Sequence, residues 1–328
     1  MTDQTGLKLV DLDEGGVDRA FRADVLAGMR ETQKAIPARW LYDDAGSQLY
    51  EDITQVPEYY PARAETEILK TRGADFADAI GRSRAVVEFG SGSSVKTPAL
   101  LRAIDPAAYV PLDIAGDFLR ASAAALSEKF PDLPVYPVEA DFMRRVELPA
   151  EVSAMPKLGF FPGGTIGNMV ARTATDLLRT MRETLGEGSM LLVGMDLIKD
   201  RKVLEAAYDD AGRVTAEFNL NLARRINREL GGTIPIDKLQ HSARWNDQYA
   251  RIEMHLVAQE DIAFEIAGEQ FAMRAGETIH TENSHKFDFR SADKQLLAGE
   301  WTPVRRWLDS EERFSLVLAE ASIARSAP

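Results

Sequence analysis

Across 328 residues, 52 Asp and Glu outnumber 39 Lys and Arg, giving a formal net charge of −13 and a pI of about 4.9. So acidic a surface repels phosphate backbones and anionic lipid, which argues against nucleic acid and membranes as partners and suits a cationic or zwitterionic small ligand. Cysteine is absent, which excludes disulfides, thiolate nucleophiles and cysteine-bearing zinc sites.

Apolar residues make up 45% of the chain, so a packed core in one large or two small domains is expected. No apolar run approaches the ~20 residues of a membrane span. Met1-Thr2-Asp3-Gln4 opens no signal peptide. The chain reads as soluble, cytoplasmic and monomeric.

Residues 1–16 read as a loose terminus. Val17, Phe21, Val25, Leu26 and Met29 form a helical stripe. The stretch 37–47 is aromatic and turn-rich. At 57–61 two prolines bracket Tyr59 and Tyr60, which predicts an extended, poorly helical segment. A helix over 65–79 leads to a strand over 84–89, whose apolar run from Ala85 stops at Gly90-Ser91-Gly92; Ser93 or Ser94 then caps a helix beginning at Thr97-Pro98. A strand entering a glycine turn and then a helix N-terminus is how open α/β sheets build a nucleotide-shaped crevice. Glycine lets the backbone approach a ligand with no Cβ in the way.

From there strands and helices alternate. Strand 108–113 ends in Asp113, helix 118–130 follows, and a short strand at 135–138 precedes Asp141-Phe142. Strand 157–161 runs into Pro162-Gly163-Gly164, followed by helix 173–185 and the apolar strand 189–195. This alternation implies a parallel sheet with helices on both faces and right-handed crossovers. After Asp196 one long helix is expected over 201–229, then antiparallel strands at 251–257, 262–266 and 269–273. A helix at 292–298 and a hairpin of 303–309 with 314–319 add an antiparallel pair to the sheet edge. The fold class is therefore α/β, a Rossmann-like sheet with a terminal antiparallel hairpin and a second, mixed α+β lobe. Residues 62–196 with 286–328 form the first domain, and 1–61 with 197–285 the second.

Asp113 lies 23 residues after Gly90 and can accept hydrogen bonds from ribose hydroxyls. The dinucleotide fingerprint needs a third glycine where this chain has Val95, which disfavours a nicotinamide-dependent oxidoreductase. Asp141 and Phe142 supply a second acid and an aromatic for an adenine. Glu88-Phe89-Gly90-Ser91-Gly92 resembles the first motif of S-adenosylmethionine-dependent methyltransferases, and the terminal hairpin matches their class I sheet.

Further motifs extend the resemblance. They are Trp40-Leu41-Tyr42-Asp43-Asp44-Ala45-Gly46-Ser47, Pro57-Glu58-Tyr59-Tyr60-Pro61-Ala62-Arg63 and Gly163-Gly164-Thr165-Ile166-Gly167-Asn168. Met195-Asp196-Leu197-Ile198-Lys199-Asp200, Ala207-Tyr208-Asp209-Asp210, Arg251-Ile252-Glu253-Met254 and Thr281-Glu282-Asn283-Ser284-His285-Lys286-Phe287 continue them in order. Over roughly 17–320 the chain resembles the histidine Nα-methyltransferases of ergothioneine biosynthesis. The resemblance implies S-adenosylmethionine as methyl donor and L-histidine as acceptor, trimethylated to hercynine.

It also implies residue roles. Asn168 and Tyr208 match the carboxylate clamp, and Tyr59 matches a further substrate-pocket tyrosine. Glu282 and Ser284 match the pair that reads the imidazole; their two-residue spacing puts both on one face of a strand. Met254 matches a residue packed near that ring. Tyr42 and the backbone at Gly163 lie where the family holds the amine or the donor, so Tyr42 is the candidate catalytic hydrogen-bonding group. Gly90, Lys96, Asp113, Asp141 and Phe142 match donor-binding positions, alongside Tyr42. Each has a plainer reading too: a solvated acid at Glu282, packing at Tyr208, core at Met254, a turn cap at Asn168. A phenol is a poor base at neutral pH, so a water relay is an equal candidate for the amine's proton. A relative acting on another amino acid, such as a tryptophan derivative, is the rival within the fold. Of four histidines, His280 and His285 stand five apart without a third ligand at tetrahedral-site spacing, so no metal is expected. His285 matches no family role.

Overall fold

The computed structural model describes residues 16–92 and 96–322. Ser93, Ser94 and Val95, read above as a helix cap and a missing third glycine, lie outside the described residues, as does the expected loose terminus over 1–15. The chain divides into two compact units. One comprises the residues up to Tyr60 together with Lys199–Ser284; the other comprises Pro61–Ile198 and the residues from His285 onward.

The second unit is built on seven strands: β1 Ala85–Phe89, β2 Ala108–Asp113, β3 Val138–Glu139, β4 Lys157–Phe161, β5 Met190–Asp196, β6 Trp301–Leu308 and β7 Phe314–Ala321. They lie in the order β6-β7-β5-β4-β1-β2-β3. Strands β1 to β5 pair in parallel, whereas β7 runs antiparallel to both β5 and β6. From β1 the chain fills one side through β2 and β3, then crosses to β4. That reversal is the switch point at whose carboxyl end open α/β sheets bind ligands.

The sequence of β1 is apolar except at Glu88 because both of its faces are covered. Ala85, Val87 and Phe89 join one core with Val110, Phe161 and Trp301, while Val86 joins the opposite core with Phe76, Leu158 and Trp307. The third strand begins later than expected. Val135 makes only an isolated bridge to Tyr109, and continuous pairing resumes at Val138, past Pro137, which has no N–H to give a ladder.

Two helices, Tyr60–Thr71 and Gly73–Ile80, replace the extended segment and single helix expected around 57–79. Pro61 sits in the first helical turn, where a missing N–H leaves no bond unmade. The helix Thr97–Ile104 opens from Lys96 with Pro98 in its first turn.

In the first unit a four-stranded sheet runs Lys34–Ala35, Thr278–His285, Arg251–Ala258, Leu239–Asn246, beside a separate hairpin of Ile262–Ile266 with Glu269–Met273. Leu239–Asn246 adds an antiparallel partner to Arg251–Ala258, whereas Thr278–His285 pairs in parallel with Lys34–Ala35. Part of the turn-rich stretch at 37–47 is helical: Asp43 caps the helix Asp44–Gln55 by accepting from the Gly46 N–H at 2.8 Å. The single helix expected over 201–229 is two, Arg201–Tyr208 and Val214–Leu230. Asp210 causes the break, its carboxylate accepting from the N–H groups of Val214 and Thr215 at 2.9 and 2.8 Å. Arg213 takes a left-handed φ of 59° to make that turn. Among the described residues, no helix is long and apolar enough to cross a membrane.

Candidate active site

At the carboxyl end of β1, Gly90 and Gly92 adopt φ of 71° and 47°, the left-handed region open to glycine. The carboxylate of Asp113 holds this loop. Its Oδ2 accepts from the Gly92 N–H at 2.9 Å and its Oδ1 from the Ala115 N–H at 3.0 Å. The ring of Phe142 stands over Gly90, where a Cβ would lie 3.3 Å from Phe142 Cε1. Phe142 meets Phe89 and Phe161 edge-on. Asp141 Oδ1 accepts from the Met143 N–H at 3.0 Å and turns the chain after β3. Gly90, Asp113, Asp141 and Phe142 thus gather at the carboxyl ends of β1 to β3. Two acids for ribose hydroxyls and an aromatic ring over a side-chain-free loop are a donor set that fits an adenosyl group.

Lys96 and Gly163 converge on a residue the sequence reading did not single out. Lys96 Nζ lies 2.6 Å from Glu65 Oε2. The Gly163 N–H donates to both Glu65 oxygens, at 2.9 and 3.0 Å. Beneath the loop, Glu88 is buried and accepts from Thr97 Oγ1 at 2.8 Å and from the Tyr109 hydroxyl. Burial pushes its carboxyl up to about 7.

Asn168 ends the short turn Thr165–Asn168, which follows Gly163 and Gly164 at φ of 81° and 70°. The turn is anchored by His285, whose Nδ1 lies 2.8 Å from the Gly167 carbonyl. A carbonyl can only accept, so Nδ1 carries the proton. A Cβ on Gly167 would lie 2.7 Å from the His285 carbonyl oxygen, so this approach requires glycine. His285, unassigned by the sequence, is an anchor for the loop that carries Asn168.

The first unit gathers the remaining expected residues. Tyr208 OH and Ser284 Oγ are 2.7 Å apart. Tyr59 meets Tyr208 edge-on at 6.0 Å, and Tyr50 links Tyr59 to Tyr42 at 6.4 and 5.6 Å. Phe218 backs Tyr42 at 5.4 Å. Tyr59, Tyr208, Glu282 and Ser284 are all buried. Met254 is fully buried in Arg251–Ala258, with Thr281 Oγ1 donating to its carbonyl at 3.1 Å. Tyr50 and Phe218, which no motif marked, complete the aromatic wall.

Burial first, and then the Glu282 carboxylate, pushes the Tyr42 hydroxyl well above the ordinary phenol range. Burial and the neighbouring phenols Tyr50 and Tyr208 do the same to Tyr59. Both are therefore neutral hydrogen-bonding groups at physiological pH, not bases. Tyr42 keeps 39% of its surface accessible although Glu282, Tyr50 and Tyr208 crowd it.

His280 meets His255 rather than His285. His280 stacks on His255 at 4.8 Å with an interplanar angle of 17°, and Glu253 lies beside them. Near-parallel rings aim their nitrogen lone pairs side by side rather than at one point, and Arg251 Nε already bonds Glu253 at 2.7 Å. Burial lowers His255 to about 4, keeping it neutral.

A parallel sheet with a glycine loop after β1, an acid ending β2 and an antiparallel β7 inserted beside β5 defines a class I S-adenosylmethionine-dependent methyltransferase. Residues 21–321 match the model of a family described as histidine-specific, SAM-dependent methyltransferases, and the chain belongs to that family. It is 38% identical over 315 residues to a histidine N-alpha-methyltransferase of Mycobacterium tuberculosis, covering 94% of this chain and 97% of that protein. The same identity holds over 306 residues with the histidine N-alpha-methyltransferase of Mycolicibacterium smegmatis, covering 92% and 94%. A 4-dimethylallyltryptophan N-methyltransferase of Claviceps purpurea is 22% identical, covering 89% and 92%.

Proposed function

We propose that this enzyme methylates the α-amine of free L-histidine three times, forming hercynine on the route to ergothioneine. The observation that carries the reading is the pairing of Glu282 and Ser284. They are two buried polar residues spaced two apart on one strand, the first beside Tyr42 and the second against the Tyr208 hydroxyl. A carboxylate accepts from one ring N–H while a hydroxyl serves the other nitrogen, so both nitrogens of a five-membered ring are read at once. Asn168 and Tyr208 supply neutral donors for the substrate carboxylate.

Bound S-adenosylmethionine supplies a sulfonium-activated methyl group. The protein's work would be positioning: its residues would orient the amine toward that methyl. The neutral Tyr42 hydroxyl orients the amine, and a water relay takes its proton because neither Tyr42 nor Tyr59 is a base. The faces of Tyr42, Tyr50 and Tyr59 stabilise the quaternary ammonium that accumulates. The enzyme works as a monomer in the cytoplasm, with no nucleic-acid or membrane partner.

The test is incubation with S-adenosylmethionine and a panel of free amino acids, read by mass spectrometry. Mono-, di- and trimethylated histidine is the expected result. Methylation of a tryptophan derivative with none on histidine would replace this reading with that rival substrate.

A further inference from the structure

Helix Tyr60–Thr71 carries a carboxylate into the second unit where no apolar pattern calls for one. Glu65 is fully buried. Burying a carboxylate so completely is tolerated only when partners replace its water. Its partners come from two separate loops, each at the carboxyl end of a strand beside the switch point. Lys96, at 2.6 Å, follows the glycine loop of β1. Gly163, whose N–H reaches both oxygens, opens the turn after β4. Space for the carboxylate comes from a third strand, since a Cβ on Gly194 in β5 would lie 2.6 Å from Glu65 Oε1. The Lys96 side chain keeps 22% of its surface accessible while Glu65 keeps none, so the lysine is held from beneath and still presents surface.

We infer that Glu65 is a positioning residue for the methyl-donor site: it fixes Lys96 and the Gly163 peptide and so holds the loops of β1 and β4 at a set separation. It acts through two groups that neighbouring strands contribute, and it ties both to one charge. Without that charge, Lys96 returns to solvent and the Gly163 N–H loses its ionic acceptor.

The experiment measures S-adenosylhomocysteine affinity by calorimetry with no amino acid present, so its outcome is independent of which acceptor the enzyme uses. Glu65→Gln keeps the shape and removes the charge. Losing a hydrogen bond to a charged group predicts about tenfold weaker binding. Lys96→Met is expected to lose a similar factor, and the double variant no more than the worse single one, because the two residues act as one unit. In turnover, Glu65→Gln raises the donor KM by about tenfold and changes kcat at saturating donor by less than about threefold, a split that general destabilisation does not produce. Should Glu65→Gln fail to fold, Gly194→Ala crowds the carboxylate and the Phe314 ring beside it while retaining Glu65 and Lys96, and the same loss is expected. Affinity within about twofold of wild type in a folded Glu65→Gln or Gly194→Ala protein, or losses that multiply in the double variant, would overturn the inference.

Discussion

At the carboxyl ends of β1 and β2 the molecule is organised by main chain. Gly90 and Gly92 take left-handed turns, backbone N–H groups bond to Asp113, and Phe142 lies against a position that has no side chain. Around Tyr208 the organisation is reversed: Tyr42, Tyr50, Tyr59 and Phe218 pack edge to face, and hydroxyls pair with Ser284 and Glu282. Main-chain walls suit a ligand that never changes, because they can only be altered by moving the backbone. Side-chain walls suit selection among ligands, since one substitution changes one contact.

Breaking the main-chain half should have the largest effect. Asp113→Ala removes the acceptor of two backbone N–H groups and a candidate ribose ligand together. S-adenosylhomocysteine affinity should fall by about 100-fold, roughly 2.7 kcal/mol, by calorimetry. Binding close to wild type would show that the loop holds its shape without the carboxylate.

A smaller effect sharpens the comparison through the buried carboxyl beneath the same loop. The Glu88 carboxyl is raised from the ordinary 4.5 to about 7, so between those values the folded state binds more protons than the unfolded state. Its stabilising contribution is complete below 4.5, declines as pH rises through that window and is gone above about 7. Glu88→Gln removes the titration. The Tm of the variant should gain on wild type by about 5 °C between pH 5 and pH 8. Parallel Tm curves over that range would mean that Glu88 ionises no differently in the folded state.

What could be read from sequence followed the range of the interaction responsible. The residues of β1 declare themselves because all but Glu88 are apolar, as burial of both faces requires, and Asp113 because it ends such a strand. The break at 209–213 did not, since Asp210 caps a new helix inside a pattern whose apolar spacing runs on. Strand Thr278–His285 was placed only at Glu282 and Ser284 and not bounded, because its buried polar residues remove the alternation of a half-solvated strand. Glu65 was invisible, because its partners lie 31 and 98 residues away. The positions of Tyr59, Tyr208, Glu282 and Ser284 were legible only through family resemblance; singly, each reads as packing or surface.

The most direct test of ring recognition compares L-histidine with 3-(2-thienyl)alanine, an amino acid whose five-membered ring has no nitrogen. If Glu282 and Ser284 read the two ring nitrogens, kcat/KM should favour histidine by at least ~1,000-fold, since a buried hydrogen-bonding site rejects a ligand that leaves it unpaired. Equal kcat/KM for the two would contradict the account.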